Sequence, residues 1–327
     1  MLVRVLLLFV CGFATCVVFA QSPEIRNGDV ATLGKLLFSE KALSADGTVS
    51  CASCHQPDHA FAEKRQTSIG VYGLNGNRNA PSLLNVGAQT SFFWDGRQAS
   101  MREAVTDPLF TSYEMGLGNE AELVQKLKSA GYGSRFASSF GGSGDITERH
   151  VQDALLAYIK TLSVASAGVG QAADAQAIRR GRDIFEHEGE CASCHAGGGP
   201  HRVYTDGAFH PSALGANHVA AQLPTLTAQT NQADALPRSV AELAGRKDGT
   251  AELGRFLVTH SLKDINTYRT PSLLHVTQTA PYMHDGSVAT LEQAVQMEVY
   301  YRGLATGQPI QLTASQRSDL MAFLRTL

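Results

Sequence analysis

Cys51-Ala52-Ser53-Cys54-His55 and Cys191-Ala192-Ser193-Cys194-His195 are one five-residue motif written twice. Two thiols three positions apart can add across the two vinyl groups of one haem, and the imidazole next in the chain then lies under the iron as its proximal ligand. A zinc centre would call for further Cys or His at finger spacing, and a thioredoxin-like dithiol for a preceding strand and no fixed His. The chain holds six cysteines; the remaining two, Cys11 and Cys16, fall in an N-terminal leader. Exported proteins usually pair their cysteines in disulfides, yet none is left here for a structural bridge. The expectation is two covalent haem c groups, one on Cys51, Cys54 and His55 and one on Cys191, Cys194 and His195.

Each motif needs an element to carry it. Leu33-Gly34-Lys35-Leu36-Leu37-Phe38 precedes the first and Arg180-Gly181-Arg182-Asp183-Ile184-Phe185 the second, both with helical patterning and a shared Gly-x-x-x-Phe. The likeness continues. Pro81-Ser82-Leu83-Leu84-Asn85-Val86 recurs as Pro271-Ser272-Leu273-Leu274-His275-Val276, and Asp95-Gly96 recurs as Asp285-Gly286, all at an offset of 190. Ser100-x-x-Glu103 and Thr290-x-x-Gln293 then read as capping boxes that open a helix in each copy. Further helices are expected from Asn119 to Ala130, from Thr147 to about Ser163, and from Thr313 to about Thr326. The fold class is mainly α: two cytochrome c-like haem domains related by internal duplication.

Residues 1–20 read as a signal peptide, with Arg4 ahead of the apolar run Val5–Val10 and a cut after Ala20. Residues 21–165 form the N-terminal haem domain, residues 164–174 the Ala/Gly/Ser linker, and residues 175–327 the C-terminal haem domain. The second copy is longer by about 50 residues between its haem motif and its Pro. That excess, around 197–250, is expected to be a surface insertion. Loss of Arg4 with the leader moves the formal charge from −3 to −4, which argues against nucleic acid and against an anionic membrane surface as partners.

Taken together, these residues resemble the bacterial di-haem cytochrome c peroxidase and MauG family. The carriers are Gly34-Lys35-Leu36-Leu37-Phe38, both haem motifs, Arg78-Asn79-Ala80-Pro81, Phe93-Trp94-Asp95-Gly96-Arg97, Glu114-Met115-Gly116 and Thr279-Ala280-Pro281-Tyr282-Met283-His284-Asp285-Gly286. The resemblance implies that peroxide reacts at the N-terminal haem and that the C-terminal haem stores and relays electrons. It makes Glu114 the distal carboxylate that takes a proton from peroxide and returns it to the departing oxygen. It puts Trp94, the single Trp of the chain, between the haems as an electron path. It also implies one calcium ion held by Asn79 and the backbone carbonyls of Thr279 and Pro281, all oxygen donors.

Two departures from the family pattern matter. Family members that need reductive activation carry a blocking His in the loop after the first motif, where this chain has Ser68-Ile69-Gly70-Val71-Tyr72-Gly73. Val71 cannot ligate iron, so the first haem is expected to be open. His59, four residues after the proximal ligand, is expected at the haem edge. The second departure is the distal ligand of the C-terminal haem, a Met in the peroxidases and a Tyr in MauG. The family count of 17 residues beyond Pro281 lands on Glu298, with Met297 before it and Tyr301 a turn later. The offset of 190 pairs Glu298 with Pro108 and supports that count. His201, His210 and His218 in the insertion are outside candidates.

The resemblance implies a periplasmic enzyme that reduces hydrogen peroxide, fed by a small redox protein such as a cytochrome c or cupredoxin. The alternative, in the manner of MauG, uses peroxide to oxidise residues of a partner protein. A non-catalytic electron carrier is a third reading, which an open first iron and Glu114 oppose. The chain's own association into a homodimer completes the partner expectations.

Overall fold

The computed structural model describes residues 27–142, 144–163, 174–197, 203–212, 214 and 219–327. The expected signal peptide, nearly all of the linker, His201 and His218 lie outside the described residues. The described chain is mainly helical, with one two-stranded ladder. Among these residues no helix is long and apolar enough to cross a membrane.

The N-terminal half is framed by a crossing of two helices, Asn27–Phe38 and Glu148–Lys160. Gly34 makes the crossing close: a Cβ there would lie 1.9 Å from the carbonyl oxygen of Ala154. Four residues on, where the side chain returns to the same face, Phe38 packs edge-on against Tyr158 and Phe61. The C-terminal half repeats the arrangement with helices Ala175–Glu186 and Ala314–Leu324. There a Cβ on Gly181 would lie 1.9 Å from the carbonyl oxygen of Asp319, and Phe185 packs edge-on against Phe323 and Tyr204. Gly-x-x-x-Phe therefore has one physical meaning in both places: a missing side chain lets the backbones touch, and a ring one turn later fills the space beside them.

Caps agree with the sequence with one exception. The side chains of Asn119, Thr147, Thr290 and Thr313 each accept a backbone N–H of the first helical turn, and Thr290–Gln293 and Thr313–Gln316 close as reciprocal capping boxes. Ser100 makes no side-chain capping bond, and its helix is a single turn, Met101–Ala104, succeeded by another, Asp107–Phe110. Pro108 explains the break, since a Pro inside a continuous helix removes a donor and collides with the preceding turn. The matching helix of the second half, Leu291–Thr306, has no such Pro and runs unbroken.

The segment expected as a surface insertion is folded. Helices Leu223–Thr230, Pro237–Ala244 and Phe256–Thr259 enclose their own core, in which Val240, Leu253, Phe256 and Leu257 are fully buried. Strand Phe209–Pro211 pairs antiparallel with Thr267–Arg269, Phe209 opposite Arg269 and Pro211 opposite Thr267. This ladder brings the two ends of the segment together, so it leaves and rejoins the C-terminal half at one place.

Candidate active site

The first motif occupies a single helical turn, Cys51–Cys54, with Ser50 and Ser53 closing a reciprocal cap at its start. This turn sets the two thiols on one side and delivers His55 just beyond it. His55 Nδ1 lies 3.2 Å from the carbonyl oxygen of Phe61 and 3.0 Å from that of Pro81. Both partners only accept, so Nδ1 carries the hydrogen and Nε2 keeps its lone pair for a metal. Burial pulls the His55 pKa down, which keeps the ring neutral. The second motif sits on a tighter, uncapped turn, Cys191–Ser193, but its imidazole is oriented alike. His195 Nδ1 lies 3.0 Å from the carbonyl oxygen of Tyr204, with the Pro271 carbonyl as its other acceptor. Burial lowers its pKa as well. Pro81 and Pro271 are the equivalent residues of the two sequence copies, so each half orients its imidazole with the same proline carbonyl.

Cys51, Cys54 and His55 open into a cavity of about 200 Å³, and Trp94, Arg97, Glu114, Arg78 and Arg269 share its walls. The cavity suits a planar group with an apolar body and anionic edges. Nε and Nη1 of Arg78 are buried and have no hydrogen-bond partner, although its Nη2 donates to the Ala251 carbonyl and its guanidinium lies over the Tyr268 ring. Arg269 is 5 % exposed, and burial brings its pKa down to about 10. Asp95 is the one acidic charge that bears on Arg269; buried cations short of anions are costly, so the propionates of a haem are a chemical fit to these two cavity-lining guanidinium groups. The two thiols and His55 Nε2 fit the other requirements of the same group.

Glu114 lies on the loop after Asp107–Phe110 and faces the cavity. Burial lifts its pKa to about 7; Arg97 opposes the rise, and the charges of Asp107, Glu242 and Asp95 add to it. Arg97 is held between Asp107, 3.0 Å away, and Asp95, 3.3 Å away, with its guanidinium over the Phe93 ring. A carboxyl with a pKa near neutrality can both give and take a proton at physiological pH. Val71 sits outside this wall. It is fully buried, its N–H donates to the Glu114 carbonyl, and Ser68 and Gly70 line the cavity in its place.

Trp94 lines the cavity and donates its indole N–H to the carbonyl of Asn79, 2.8 Å away, while its own carbonyl accepts the N–H of Arg269. Trp94 thus joins a loop of one half to a strand of the other. Asn79 is buried, its backbone N–H donates to the carbonyl of His284, and its side-chain amide faces the carbonyls of Glu63, Arg65 and Gln66. The Thr279–Pro281 stretch approaches the same region: the carbonyl of Ala280 lies 2.6 Å from His59 Nε2. His59 is therefore engaged with the other half of the chain.

The second motif faces helix Leu291–Thr306, and the phase of that helix separates the three candidate ligands. Leu291, Val295 and Val299 pack into the C-terminal core, and Ala294 is buried beside them. Glu298 shares this face, one turn beyond Ala294 and Val295. Glu298 is exposed, and the protein around it still raises its carboxyl pKa. Burial pushes the Cys191 thiol up to about 11, and the charge of Glu298 adds to that rise while Arg302 opposes it. Met297 points elsewhere, into a groove with Ser287, Val288, Gln293, Gln296 and Tyr300. Tyr301 is half-buried on the flank, edge-on to Tyr300. His210 stands on the ladder strand, bonded to Asp206 and close to Cys194, beside the motif.

Sequence reasoning assigned no role to Arg78, Arg97, Arg269, Tyr113 or Glu242. Arg78 and Arg97 stood inside recognised motifs, which was the available signal. Arg269 and Glu242 become part of the site only through contacts across the chain.

Known proteins resemble this chain in sequence and in fold. Residues 29–175 match the family model described as di-haem cytochrome c peroxidase. The cytochrome-c peroxidase IdrP2 of Denitromonas iodatirespirans is 32 % identical, across 93 % of this chain and 83 % of its own length. The methylamine utilization protein MauG of Methylophilus methylotrophus is 28 % identical, across 91 % and 82 %. Among solved structures, a MauG-like protein associated with microbial copper homeostasis superposes with a TM-score of 0.70 at 30 % identity, covering 91 % of this chain and 89 % of that one.

Proposed function

We propose, since this chain belongs to the family of di-haem cytochrome c peroxidases, that it reduces hydrogen peroxide at its N-terminal haem with electrons relayed through its C-terminal haem. The haems are attached through Cys51 and Cys54 and through Cys191 and Cys194, with His55 and His195 as proximal ligands. When bound, they supply the redox-active iron that protein side chains lack. The observation that carries the reading is Glu114, a carboxyl poised near pH 7 in the wall of the cavity that also holds His55.

The roles of the residues rest on that placement. His55 would offer Nε2 to the iron, because two carbonyls hold Nδ1–H. Glu114 is placed to accept a proton from peroxide on its carboxylate and to return it to the departing oxygen. Arg97, fixed by Asp95 and Asp107, keeps enough positive potential nearby to let Glu114 ionise. Val71 has no atom that could ligate iron and lies outside the cavity wall, so no activating reduction would be needed. Trp94 offers an aromatic path between the halves, anchored by Asn79 and Arg269. Asn79 and the carbonyls of Thr279 and Pro281 would hold a calcium ion that ties the halves together; the Asn79 backbone N–H, which donates to the His284 carbonyl and so draws the two segments together, supports that reading.

The two halves arose by internal duplication. Matched glycine crossings, matched proline carbonyls on the imidazoles and the offset of 190 support this. The protein is exported to the periplasm and draws electrons from a small cytochrome c or cupredoxin. A second reading, oxidation of a partner protein, is favoured by one observation: Glu298 and not Met297 occupies the face toward the second motif. An anionic oxygen ligand lowers the haem potential, whereas a thioether raises it.

Steady-state oxidation of reduced cytochrome c by peroxide tests the main reading. Turnover by the wild type and its loss in Glu114→Gln, with both haems retained, is the expected result. Equal turnover in the variant would remove Glu114 from the mechanism, and no turnover in the wild type would direct attention to a protein substrate.

A further inference from the structure

The folded insertion grips the loop that carries Glu114. Two residues before it, the Ser112 backbone N–H and hydroxyl both donate to the Glu242 carboxylate, at 2.8 and 2.5 Å. The next residue, Tyr113, donates its hydroxyl to the carbonyl of Ala241, 2.9 Å away. Its ring lies against Gly245, where a Cβ would come within 2.1 Å of the ring. Arg238, on the same inserted helix, covers the Phe110 ring at 4.3 Å. Every residue but one from Phe110 to Tyr113 is thus held by Pro237–Ala244 or the glycine that ends it.

The same insertion also holds the opposite wall. Lys247 Nζ donates to the Gly76 carbonyl and to Asn77 Oδ1, and Asn77 Nδ2 donates to the Arg246 carbonyl. The two walls meet where Gly70 packs on the Tyr113 carbonyl and Val71 N–H reaches the Glu114 carbonyl. Ala244, at the end of the inserted helix, itself lines the first cavity. The insertion has its own core and its ends are tied by the Phe209–Thr267 ladder. Its helix therefore does not need the grip on Ser112 in order to fold.

We propose that the inserted helix Pro237–Ala244 is a strap for the first site, and that Glu242 is the positioning residue that holds Glu114 in the cavity through Ser112. This rests on the reading of Glu114 as the proton carrier. The loop has backbone bonds of its own, from Glu114 N–H and Gly116 N–H to the Thr111 carbonyl and from Met115 N–H to the Pro108 carbonyl; the strap adds a hold on Ser112 and Tyr113 from the C-terminal half. Glu242 also acts through its charge. The groups that bear on Glu114 are Arg97, which favours its ionisation, and Asp107, Glu242 and Asp95, which oppose it; Tyr113 lies between as a neutral hydroxyl.

The test uses the full-length haem-loaded protein with Glu242→Ala, Glu242→Gln and Gly245→Ala, read by amide hydrogen exchange over residues 110–116 and by the pH profile of peroxide turnover. Glu242→Ala removes two charge-assisted bonds, so exchange at Ser112–Glu114 should quicken about tenfold or more and turnover fall about tenfold, with both haem spectra kept. Glu242→Gln retains an acceptor oxygen and loses the charge. Protection and most turnover should persist, and the acid limb of the profile should move to lower pH, because Glu114 ionises more readily without a negative neighbour. Gly245→Ala drives a methyl into the Tyr113 ring and should loosen the loop as Glu242→Ala does. Unchanged exchange and an unchanged pH profile in Glu242→Ala, while Glu114→Gln abolishes turnover, would overturn the strap. An active Glu114→Gln would instead sink the proton-carrier reading, and the exchange result would still decide whether Glu242 holds the loop.

Discussion

Gly34→Ala tests the link between the helix crossing and the site. The added methyl would meet the Ala154 carbonyl oxygen at 1.9 Å, against the 3.4 Å at which ordinary contact begins, so the helices must part by about 1.5 Å. The obstacle is backbone on both sides, which cannot swing away as a side chain could. Overpacking typically costs about 1–3 kcal/mol and occasionally more, and a collision with backbone belongs at or above the top of that range; the better helix propensity of Ala over Gly returns about 1 kcal/mol. A net loss of about 1–3 kcal/mol should lower the melting temperature by about 2–10 °C. Gly181→Ala, with the same 1.9 Å approach to Asp319, should cost a similar amount. Gly34→Ala should also reach the haem. Phe38 lines the cavity and packs on Phe61, whose carbonyl holds His55, so the spectrum of the first haem should broaden while that of the second stays unchanged. Calorimetry and absorption spectroscopy of the two single variants provide the readout. A melting temperature within about 1 °C of wild type for Gly34→Ala would refute the idea that backbone contact sets the crossing.

Glu114→Gln should slow peroxide reduction by about two to four orders of magnitude. In the wild type, kcat/KM for peroxide should fall as pH drops below about 7, because the base must be ionised to take the proton and burial holds its pKa there; the variant should lose this limb. Electron paramagnetic resonance of the oxidised protein should give one high-spin and one low-spin haem, and two low-spin signals would mean that some other residue closes the first iron. Glu298→Ala should abolish the low-spin signal of the second haem and Met297→Ala should leave it intact, since Met297 faces the outer groove; a far-red thioether band lost only in Met297→Ala would reverse that assignment.

The amino-acid sequence by itself determined what short range governs, the Ser100-x-x-Glu103 box excepted. Cys-x-x-Cys-His needs only one helical turn to align two thiols and an imidazole, so both motifs were legible, as were the caps at Asn119, Thr147, Thr290 and Thr313. Self-similarity at a single offset exposed the paired architecture, because equal spacing in the chain gives equal geometry in each half. Where contacts link distant segments, sequence spacing carried no signal. Ser100-x-x-Glu103 has the letters of a capping box, yet Pro108 cuts the helix to a single turn and Ser100 caps nothing. Met297, Glu298 and Tyr301 are near neighbours in the chain, and only the packing of Leu291, Ala294 and Val295 fixes the rotation of their helix and turns Glu298 toward Cys191. The insertion looked like a surface excursion because its small residues lack a strong period. Its burial of Val240 and Phe256 and its hold on Ser112 depend on a fold that returns it to the other half of the molecule. Arg269 and Arg78, about 190 residues apart in sequence, come to line one cavity for the same reason: burial and charge are properties of surroundings that tertiary structure alone assembles.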